Sequence, residues 1–340
     1  MYGYQINENG TLKNYGTNTK DYQVDVIANK ASTFIRSADG RNDAQPFFLL
    51  LTPASPHFEV TTILSMQSYS DQWKLTIRPA KRHQGTIKAT LPAVDSFNEV
   101  DISDKPAWLQ KFPLMTDTDM ANNAKRYNDM LEATRAIDDL VGTVFSALEQ
   151  TKEIGNTAII FVSDNGYNYG EHRLAEKMHV YEESLRVPLY LTAPGFTTKQ
   201  SISRTVINTD LAPTIAQFAG VTPSLTVDGT SFIPLLSNPN QSWRKRHLIE
   251  HGLFKEGVFH FPPYAAIRTF EGDLMPHLLY AEYQDAALPN TEFYDVTQDP
   301  YQLTSLYNDE SRSSQRARLA TLLGQLKSCT GQTCYSLEFD

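Results

Sequence analysis

The sequence has 340 residues, of which 41% are hydrophobic and 20% are charged, a balance typical of a folded protein rather than a disordered one. Its formal net charge of −9 argues against a general nucleic-acid binder, which would normally present a basic face. No apolar run approaches the roughly 18–20 residues that cross a bilayer, and the first residues show neither the basic nor the apolar region of a signal peptide.

The N-terminal part predicts a hairpin, a helix and a buried strand. Residues 1–16 are expected to form the hairpin, with its turn at Asn9-Gly10. The spacing of apolar residues predicts the helix over 21–36. The apolar run 46–53, bounded by prolines, is typical of a strand buried on both faces.

The middle of the chain alternates between helices and strands. Residues 54–120 form a long irregular stretch, of a length usually associated with a functional loop or an inserted subdomain. A helix is predicted over 121–150, and buried strands are predicted over 158–163 and 187–192. Another helix is expected from Asn208 to Gly220. This alternation predicts an α/β sheet with helices on both faces.

We expect two domains. Residues 1–236 would form the α/β domain, and residues 237–340 would form a smaller subdomain with a small antiparallel sheet and a closing helix near 311–327. Because the chain starts with a hairpin and offers only about three central strands, we expect that the first βαβ units of the sheet are missing from it.

Polar residues follow two of the predicted strands. His57 comes after the first strand, and Asp164-Asn165-Gly166 comes directly after the second. In open parallel sheets, ligands gather at the carboxyl ends of the strands. Asp and Asn supply oxygen ligands suited to Ca²⁺ or Mg²⁺, although the same triplet is also common in ordinary turns.

The region around this triplet carries a family resemblance. The stretch FVSDNGYNYGEHRLAEKMHVYEESLRVPL, residues 161–189, resembles the C-terminal signature of the sulfatases, and most closely that of arylsulfatases and N-acetylglucosamine-6-sulfatases. Segments at 46–57, 96–106, 208–214 and 293–300 agree with the family in the same order. The resemblance implies a partial alkaline-phosphatase-like sandwich followed by a smaller C-terminal α+β subdomain.

The resemblance also implies roles for individual residues. Asp164 and Asn165 match the motif that supplies half of a calcium site. Lys177 matches the lysine that contacts the sulfate group, where an ammonium can neutralise spreading negative charge. His57 matches the histidine that contacts sulfate and can protonate the leaving alcohol. A solvated surface lysine and a capping or core histidine are the alternatives for Lys177 and His57.

Four further residues are weaker candidates. His172 and His179 lie in the signature and could line the substrate pocket.

Cys329 and Cys334 are the only cysteines, and they could be free thiols or a short disulfide. A disulfide would match a terminal pair in the family and would imply an oxidising compartment. The segment His247-Leu-Ile-Glu-His251 fits an inverted zinc-protease pattern, but the glycine that follows and the residues that precede it favour a strand.

The family's nucleophile has no counterpart here. The resemblance implies a formylglycine made from cysteine in a Cys-x-Pro-x-Arg motif, and neither Cys329 nor Cys334 lies in such a motif. We therefore expect a truncated chain that supplies the sulfate-binding residues and half of the metal ligands. Alone, it should show negligible turnover. A secreted parent, extracellular or lysosomal, is expected, with its signal peptide outside this chain.

The expected ligand is a sulfated small molecule or glycan, either a glycosaminoglycan sulfate or an aryl sulfate. Two alternatives stay open at this point. One is a non-catalytic relative that binds sulfated glycans. The other is a phosphoesterase of the same superfamily, although such an enzyme would need further Asp or His zinc ligands.

Overall fold

A computed structural model describes residues 1–39, 45–59, 67–92, 94–196, 198–256, 259–285 and 290–340, which belong to two compact units. Unit 1 consists of Met1–Pro92, Met115–Thr157 and Glu256–Val258. Unit 2 consists of Ala93–Leu114, Ala158–Lys255 and Phe259–Asp340. Across the described ranges, no helix combines the length and apolar character needed to span a membrane. The domain boundary at residue 236 stays a prediction.

Unit 1 begins with the predicted hairpin. Strand β1 (Tyr4–Glu8) pairs antiparallel with β2 (Thr11–Tyr15). The two turn residues, Asn9 and Gly10, have φ values of 51° and 91°. This is the left-handed geometry that a two-residue hairpin turn requires and that Asn-Gly adopts readily, so the prediction is confirmed.

Two long helices supply most of the core of unit 1. Helix α1 (Gln23–Asp39) packs against α2 (Asp117–Gln150), and both predicted helices are confirmed. Helix α2 starts at a capping box, in which the Thr116 hydroxyl accepts from the Asp119 N–H and the Asp119 carboxylate accepts from the Thr116 N–H. The buried core between them contains Tyr22, Val24, Ala28, Ala80, Ala136 and Leu140.

The buried strand predicted over 46–53 is wrong. This segment forms no strand, and its side chains Phe48 and Leu50 are 65% and 71% exposed. No described segment pairs with its backbone, so the apolar residues have no sheet to be buried in. The irregular stretch that follows is confirmed, because its described residues before α2 contain only short 3₁₀ turns.

Unit 2 contains the two other predicted central strands. Strand β3 (Ile159–Val162) pairs with β6 (Leu189–Thr192), and the pairing is antiparallel rather than parallel. Phe161 lies opposite Tyr190, and these side chains are 38% and 68% exposed. The strands therefore exist as predicted, but they are not buried on both faces.

Short elements lie between β3 and β6 and carry the family signature. Strands β4 (Asn168–Tyr169) and β5 (Ala175–Glu176) form a small antiparallel hairpin, and α3 (Glu182–Leu185) is a single turn of helix. Helices α4 (Leu211–Phe218) and α5 (Ile233–Ser237) follow β6, and α4 confirms the helix predicted over 208–220.

The C-terminal part of unit 2 is a small antiparallel sheet with a helix packed on it, as predicted. The sheet has the order β12-β11-β10-β7, and a separate pair is formed by β8 and β9. The apolar side chains of the sheet and of α6 form one buried core. The strands and helices are β7 (Arg246–His251), β8 (Phe254–Glu256), β9 (Phe259–Phe261), β10 (Tyr264–Thr269), β11 (Leu278–Tyr283), β12 (Thr291–Asp295), α6 (Ser313–Leu326) and α7 (Gln332–Phe339).

The last helix is held by charged and covalent links. Cys329 and Cys334 form a disulfide at the start of α7. The buried Arg244 guanidinium donates at 2.8 Å to Glu338 in α7 and at 2.6 and 2.8 Å to Asp210. Buried charges of this kind are tolerated only when paired, and Arg244 is paired with two carboxylates, Asp210 and Glu338.

Candidate functional site

The Asp164–Gly166 loop follows β3, as the sequence predicts. The Asp164 side chain is exposed, and among the described residues it has no hydrogen-bonding or ionic partner. The Asn165 Nδ2 donates to the Gly166 carbonyl at 2.7 Å, and the Ser163 hydroxyl donates to the Asn165 carbonyl at 2.9 Å. These local bonds fix the loop while the oxygen atoms of Asp164 remain open to a ligand.

Gly166 is required by a close approach of two backbones. Its N–H donates to the Ser184 carbonyl at 3.0 Å, and the Tyr167 N–H donates to the Glu183 carbonyl at 2.7 Å. A Cβ atom at position 166 would lie 2.1 Å from the Glu183 carbonyl oxygen. The glycine is therefore required by the contact with α3, which is a more specific role than that of an ordinary turn.

The hairpin β4–β5 has an unusual turn. The Leu174 N–H donates to the Glu171 carbonyl at 2.9 Å, and the two central residues, His172 and Arg173, have φ values of 53° and 63°. Turns with positive φ at both central positions usually contain Asn or Gly. The turn at His172-Arg173 must therefore be stabilised by contacts with the rest of unit 2.

Those contacts come from the segment before α2. The His172 N–H donates to the Ser96 carbonyl at 2.7 Å, and its Nδ1 lies 2.6 Å from a carboxylate oxygen of Glu99. The Arg173 guanidinium donates to the carbonyls of Glu99, Val100 and Phe112 at 2.7–2.8 Å. The 96–106 segment carries part of the family resemblance, but the sequence indicated no role for it.

His172 and His179 are both inside unit 2. The exposed fraction of His172 is 0%, and its ring stacks on Tyr181 with the ring centroids 3.8 Å apart. His179 is 1% exposed and lies between Trp108 and Phe261, and burial lowers its pKa to about 3. This environment favours a role in holding the loop over direct contact with a substrate.

Lys177 is the half-buried residue directly after β5. Among the described residues its ammonium has no hydrogen-bonding partner and no carboxylate within ion-pair distance. The segment that carries it is fixed on both sides, because Glu176 pairs with Asn168 in the hairpin and His179, two residues further on, is buried. An unpaired cation on a fixed segment is a suitable group for an anionic ligand.

The second half of the signature is tied to the C-terminal sheet. The Tyr181 hydroxyl donates to Glu292 of β12 at 2.7 Å, and the same carboxylate also accepts from the hydroxyls of Tyr283 and Tyr294. Arg268 of β10 donates to the Glu182 carboxylate at 2.8 Å. The sheet thus anchors the residues that follow Lys177.

His57 lies in unit 1, where its backbone is held by a turn. Its N–H donates to the Ala54 carbonyl at 2.9 Å, and the Ser55 hydroxyl donates to the Ala133 carbonyl of α2 at 3.0 Å. The Nδ1 atom of His57 lies 2.9 Å from the Phe58 carbonyl. Since a carbonyl can only accept, Nδ1 carries the proton in this contact and Nε2 is left for other chemistry.

Asp164 and Asn165 can be tested as metal ligands. A carboxylate and an amide oxygen are suitable donors for Ca²⁺, which takes about six to eight oxygen ligands. Within the described ranges, no group of three or more His, Cys, Asp or Glu side chains is arranged to hold a metal. The pair therefore fits part of a calcium site, and the remaining ligands would have to come from other groups.

The zinc-protease pattern is excluded by its secondary structure. His247 and His251 lie on β7, four residues apart. At about 3.3 Å per residue, their Cα atoms are roughly 13 Å apart, too far for both side chains to bind one zinc ion. Their rings instead stack on Phe270 and Tyr264.

Comparison with known proteins gives the family. The family model described as "Sulfatase" matches residues 2–221. The chain belongs to the sulfatase family. The family model described as "N-sulphoglucosamine sulphohydrolase, C-terminal" matches residues 170–329 of this sulfatase-family chain.

Several curated relatives are similar over most of the chain. An arylsulfatase of Volvox carteri is 30% identical, covering 92% of this chain and 52% of its own length. An N-acetylglucosamine-6-sulfatase of Capra hircus is 29% identical, covering 98% of this chain and 60% of its own length. The chain thus spans between half and three fifths of the length of these relatives.

Solved structures show the same fold. A protein solved in complex with its substrate D-glucosamine-2-N,6-O-disulfate has a TM-score of 0.65 at 20% identity, covering 98% of this chain and 74% of its own. A phosphonate monoester hydrolase of Agrobacterium radiobacter has a TM-score of 0.67 at 20% identity, covering 92% and 62%. The predicted α/β, alkaline-phosphatase-like fold class is confirmed.

Proposed function

We propose that this chain supplies the sulfate-binding part of a sulfatase that hydrolyses sulfate esters of sugars. The observation that carries the proposal is the Lys177 ammonium, half-buried and without a partner among the described residues, on a segment fixed at both ends. Membership of the sulfatase family supports the assignment of this cation to the sulfate group.

The residues have distinct proposed roles. Lys177 would donate to the sulfate oxygens and offset the charge that develops on them. Asp164 and Asn165 would provide oxygen ligands to Ca²⁺, which when bound would add positive charge beside the sulfate. His57, with a proton on Nε2 in addition to the one that Nδ1 donates to the Phe58 carbonyl, would give the Nε2 proton to the oxygen of the leaving alcohol, as that oxygen separates from sulfur and an incoming nucleophile bonds to sulfur.

We expect hydrolysis to need a group that these 340 residues do not contain. No Cys-x-Pro-x-Arg motif is present in them, and this is the motif from which the family's formylglycine nucleophile is expected to form. The proposed activity of the chain alone is therefore binding of the sulfate ester with negligible turnover.

The names of the relatives support the substrate class. They include N-acetylglucosamine-6-sulfatases from several mammals and a fold neighbour solved with a disulfated glucosamine. We therefore propose a sulfated amino sugar, alone or within a glycosaminoglycan, with an aryl sulfate as the second candidate because of the Volvox arylsulfatase. The terminal disulfide and a Drosophila relative named as an extracellular sulfatase support an extracellular or lysosomal compartment.

The proposal can be tested by titrating the 340-residue chain with N-acetylglucosamine 6-sulfate in the presence of Ca²⁺, with N-acetylglucosamine as the control ligand. The sulfated sugar should bind, and Lys177→Ala should weaken binding about tenfold or more, because a charge-assisted contact is lost. The matched variant Lys199→Ala removes an exposed lysine of unit 2 and should leave affinity unchanged.

Three outcomes would contradict the proposal or redirect it. Equal affinity of Lys177→Ala and the unchanged chain would remove the sulfate role of Lys177. Tighter binding of N-acetylglucosamine 6-phosphate than of N-acetylglucosamine 6-sulfate would favour a phosphoesterase. Release of para-nitrophenol from its sulfate ester by the purified chain would show that these residues suffice for turnover.

A further inference from the structure

The backbone around Lys177 is concentrated in the left-handed region. Four residues other than glycine have positive φ values between positions 172 and 178: His172 at 53°, Arg173 at 63°, Glu176 at 76° and Met178 at 79°. Side chains with a Cβ disfavour this region because the Cβ atom approaches the following carbonyl oxygen. A cluster of this kind persists only where surrounding contacts enforce it.

Unit 2 supplies such contacts on the N-terminal side of Lys177. The turn at His172-Arg173 is fixed by main-chain and side-chain bonds to residues 96–100, described above, and the Asn98 N–H also donates to the Gly170 carbonyl at 2.8 Å. Residues 175 and 176 are then fixed by pairing with β4 and by burial. The backbone conformation leading up to position 177 is therefore fixed by these contacts.

Contacts on the C-terminal side are equally specific. The His179 N–H donates to the Ser184 hydroxyl at 3.2 Å, and the His179 ring is packed between Trp108 and Phe261. Val180 and Tyr181 are fully buried. Lys177 and Met178 are thus the two half-buried residues of a segment whose two ends are fixed, and Lys177 lies between two residues with left-handed backbones.

We propose that Met178, together with Glu176, is a positioning residue whose left-handed backbone fixes the direction of the Lys177 side chain toward sulfate. The inference rests on the proposed function, because it assumes that Lys177 binds sulfate. The disfavoured φ at Met178 is maintained by the contacts of His179 and the β4–β5 hairpin. A glycine at position 178 would remove the backbone strain and allow Lys177 a wider range of directions.

Two variants at one position separate the backbone from the side chain. Met178→Ala and Met178→Gly both remove the methionine side chain, but only the glycine relieves the strain at positive φ. Met178→Gly should therefore melt at a higher temperature than Met178→Ala, by about 2–4 °C. It should nevertheless bind N-acetylglucosamine 6-sulfate about three- to tenfold more weakly than Met178→Ala, because binding must now restrict the freed backbone.

Further variants serve as controls. Met178→Asn should keep the affinity of the unchanged chain, because Asn tolerates the left-handed region while still restricting the backbone. Lys152 in unit 1 is exposed and has a φ of 62°. Lys152→Gly should melt above Lys152→Ala, as at position 178, but the two should bind the sulfated sugar equally.

The outcomes distinguish the inference from the function on which it rests. Equal affinities of Met178→Gly and Met178→Ala, or a Met178→Gly chain no more stable than Met178→Ala, would overturn the positioning role alone. If the unchanged chain does not bind the sulfated sugar, or binds it independently of Lys177, both the proposed function and the inference are overturned.

Discussion

The Nδ1 atom of His172 lies 2.6 Å from Oε2 of Glu99, and neither side chain is accessible enough to exchange this contact for water. The other carboxylate oxygen of Glu99 lies 3.4 Å from the Lys105 ammonium, which also contacts Asp104 and the Leu303 carbonyl. Burial lowers the pKa of His172 well below its usual value. Burial also raises the pKa of the Glu99 carboxyl to about 7. The Nδ1 contact with Glu99 places this buried pair in the framework that holds the signature turn.

Loss of this contact should destabilise unit 2. His172→Ala removes the donor to a buried carboxylate and leaves a cavity, so we expect the free energy of unfolding to fall by about 2–4 kcal/mol. His172→Asn should recover much of this loss, because its amide can donate to Glu99 and Asn tolerates the positive φ at this position. Urea unfolding of the three proteins measures both effects. Equal stability of the Asn and Ala variants would argue against the contact.

The carboxyl group of Glu171 should make stability depend on pH. Burial raises its pKa to about 7, and the neighbouring Glu183 also acts to raise it. Between about pH 4.5 and 7 the unfolded chain loses this proton while the folded chain keeps it, so the free energy of unfolding should fall as the pH rises.

The variant Glu171→Gln tests this directly. Because it cannot ionise, it should gain stability relative to the unchanged chain across that interval, by roughly 1–3 kcal/mol at about pH 8, and it should show little gain at about pH 4. Thermal or urea unfolding over this pH range gives the comparison. A difference that does not change with pH would rule out the raised pKa as its cause.

The glycine at position 166 should be intolerant of even a methyl group. Gly166→Ala would place Cβ against the Glu183 carbonyl, so we expect a loss of about 2–4 kcal/mol and weaker binding of the sulfated sugar. Gly142 in helix α2 is the matched control, because nothing lies within 4 Å of the place that a Cβ atom would occupy there. Gly142→Ala should stabilise the chain by about 0.5–1 kcal/mol. Similar effects at the two positions would contradict the proposed backbone contact.

The terminal disulfide should stabilise the chain modestly. It closes a short loop with a sequence separation of 5, and loop-closure entropy for such a loop corresponds to about 2 kcal/mol. The double variant Cys329→Ser, Cys334→Ser should therefore unfold at lower urea concentration, and adding a reductant should have no further effect on it. If reductant destabilises the unchanged chain and the double variant equally, the disulfide is not responsible.

Local patterns in the sequence predicted the elements that depend on local chemistry. The hairpin turn at Asn9-Gly10, helix α2 and the C-terminal sheet with its helix were all found where expected. The buried strand over 46–53 was not, because an apolar run becomes a buried strand only if another segment pairs with it. Periodicity cannot show whether that partner is present.

The candidate site was likewise predicted only in part from the sequence. The resemblance placed Asp164, Asn165 and Lys177 in one short signature, and the structure places all three in unit 2. It gave no sign that Glu99 would pair with His172 from 73 positions away, since side-chain contacts at such separations leave no local pattern. Positive φ at Glu176 and Met178 could not be predicted either, because neither residue type favours a left-handed backbone.

The main-chain hydrogen bonds between the Asp164–Gly166 loop and α3 affect which substitutions the sequence can accept. The two hydrogen bonds that join residues 166–167 to 183–184 are formed by main-chain atoms alone. Substitutions at 167 and 183 can therefore change the chemistry of the surrounding side chains while leaving the geometry of Asp164 intact, whereas the Ser184 hydroxyl also accepts from the His179 N–H. In a saturation library of this segment, we expect position 166 to accept only glycine, position 184 to favour serine, and positions 167 and 183 to accept many residues. Such a segment can adapt to a new sulfated ligand without losing its scaffold.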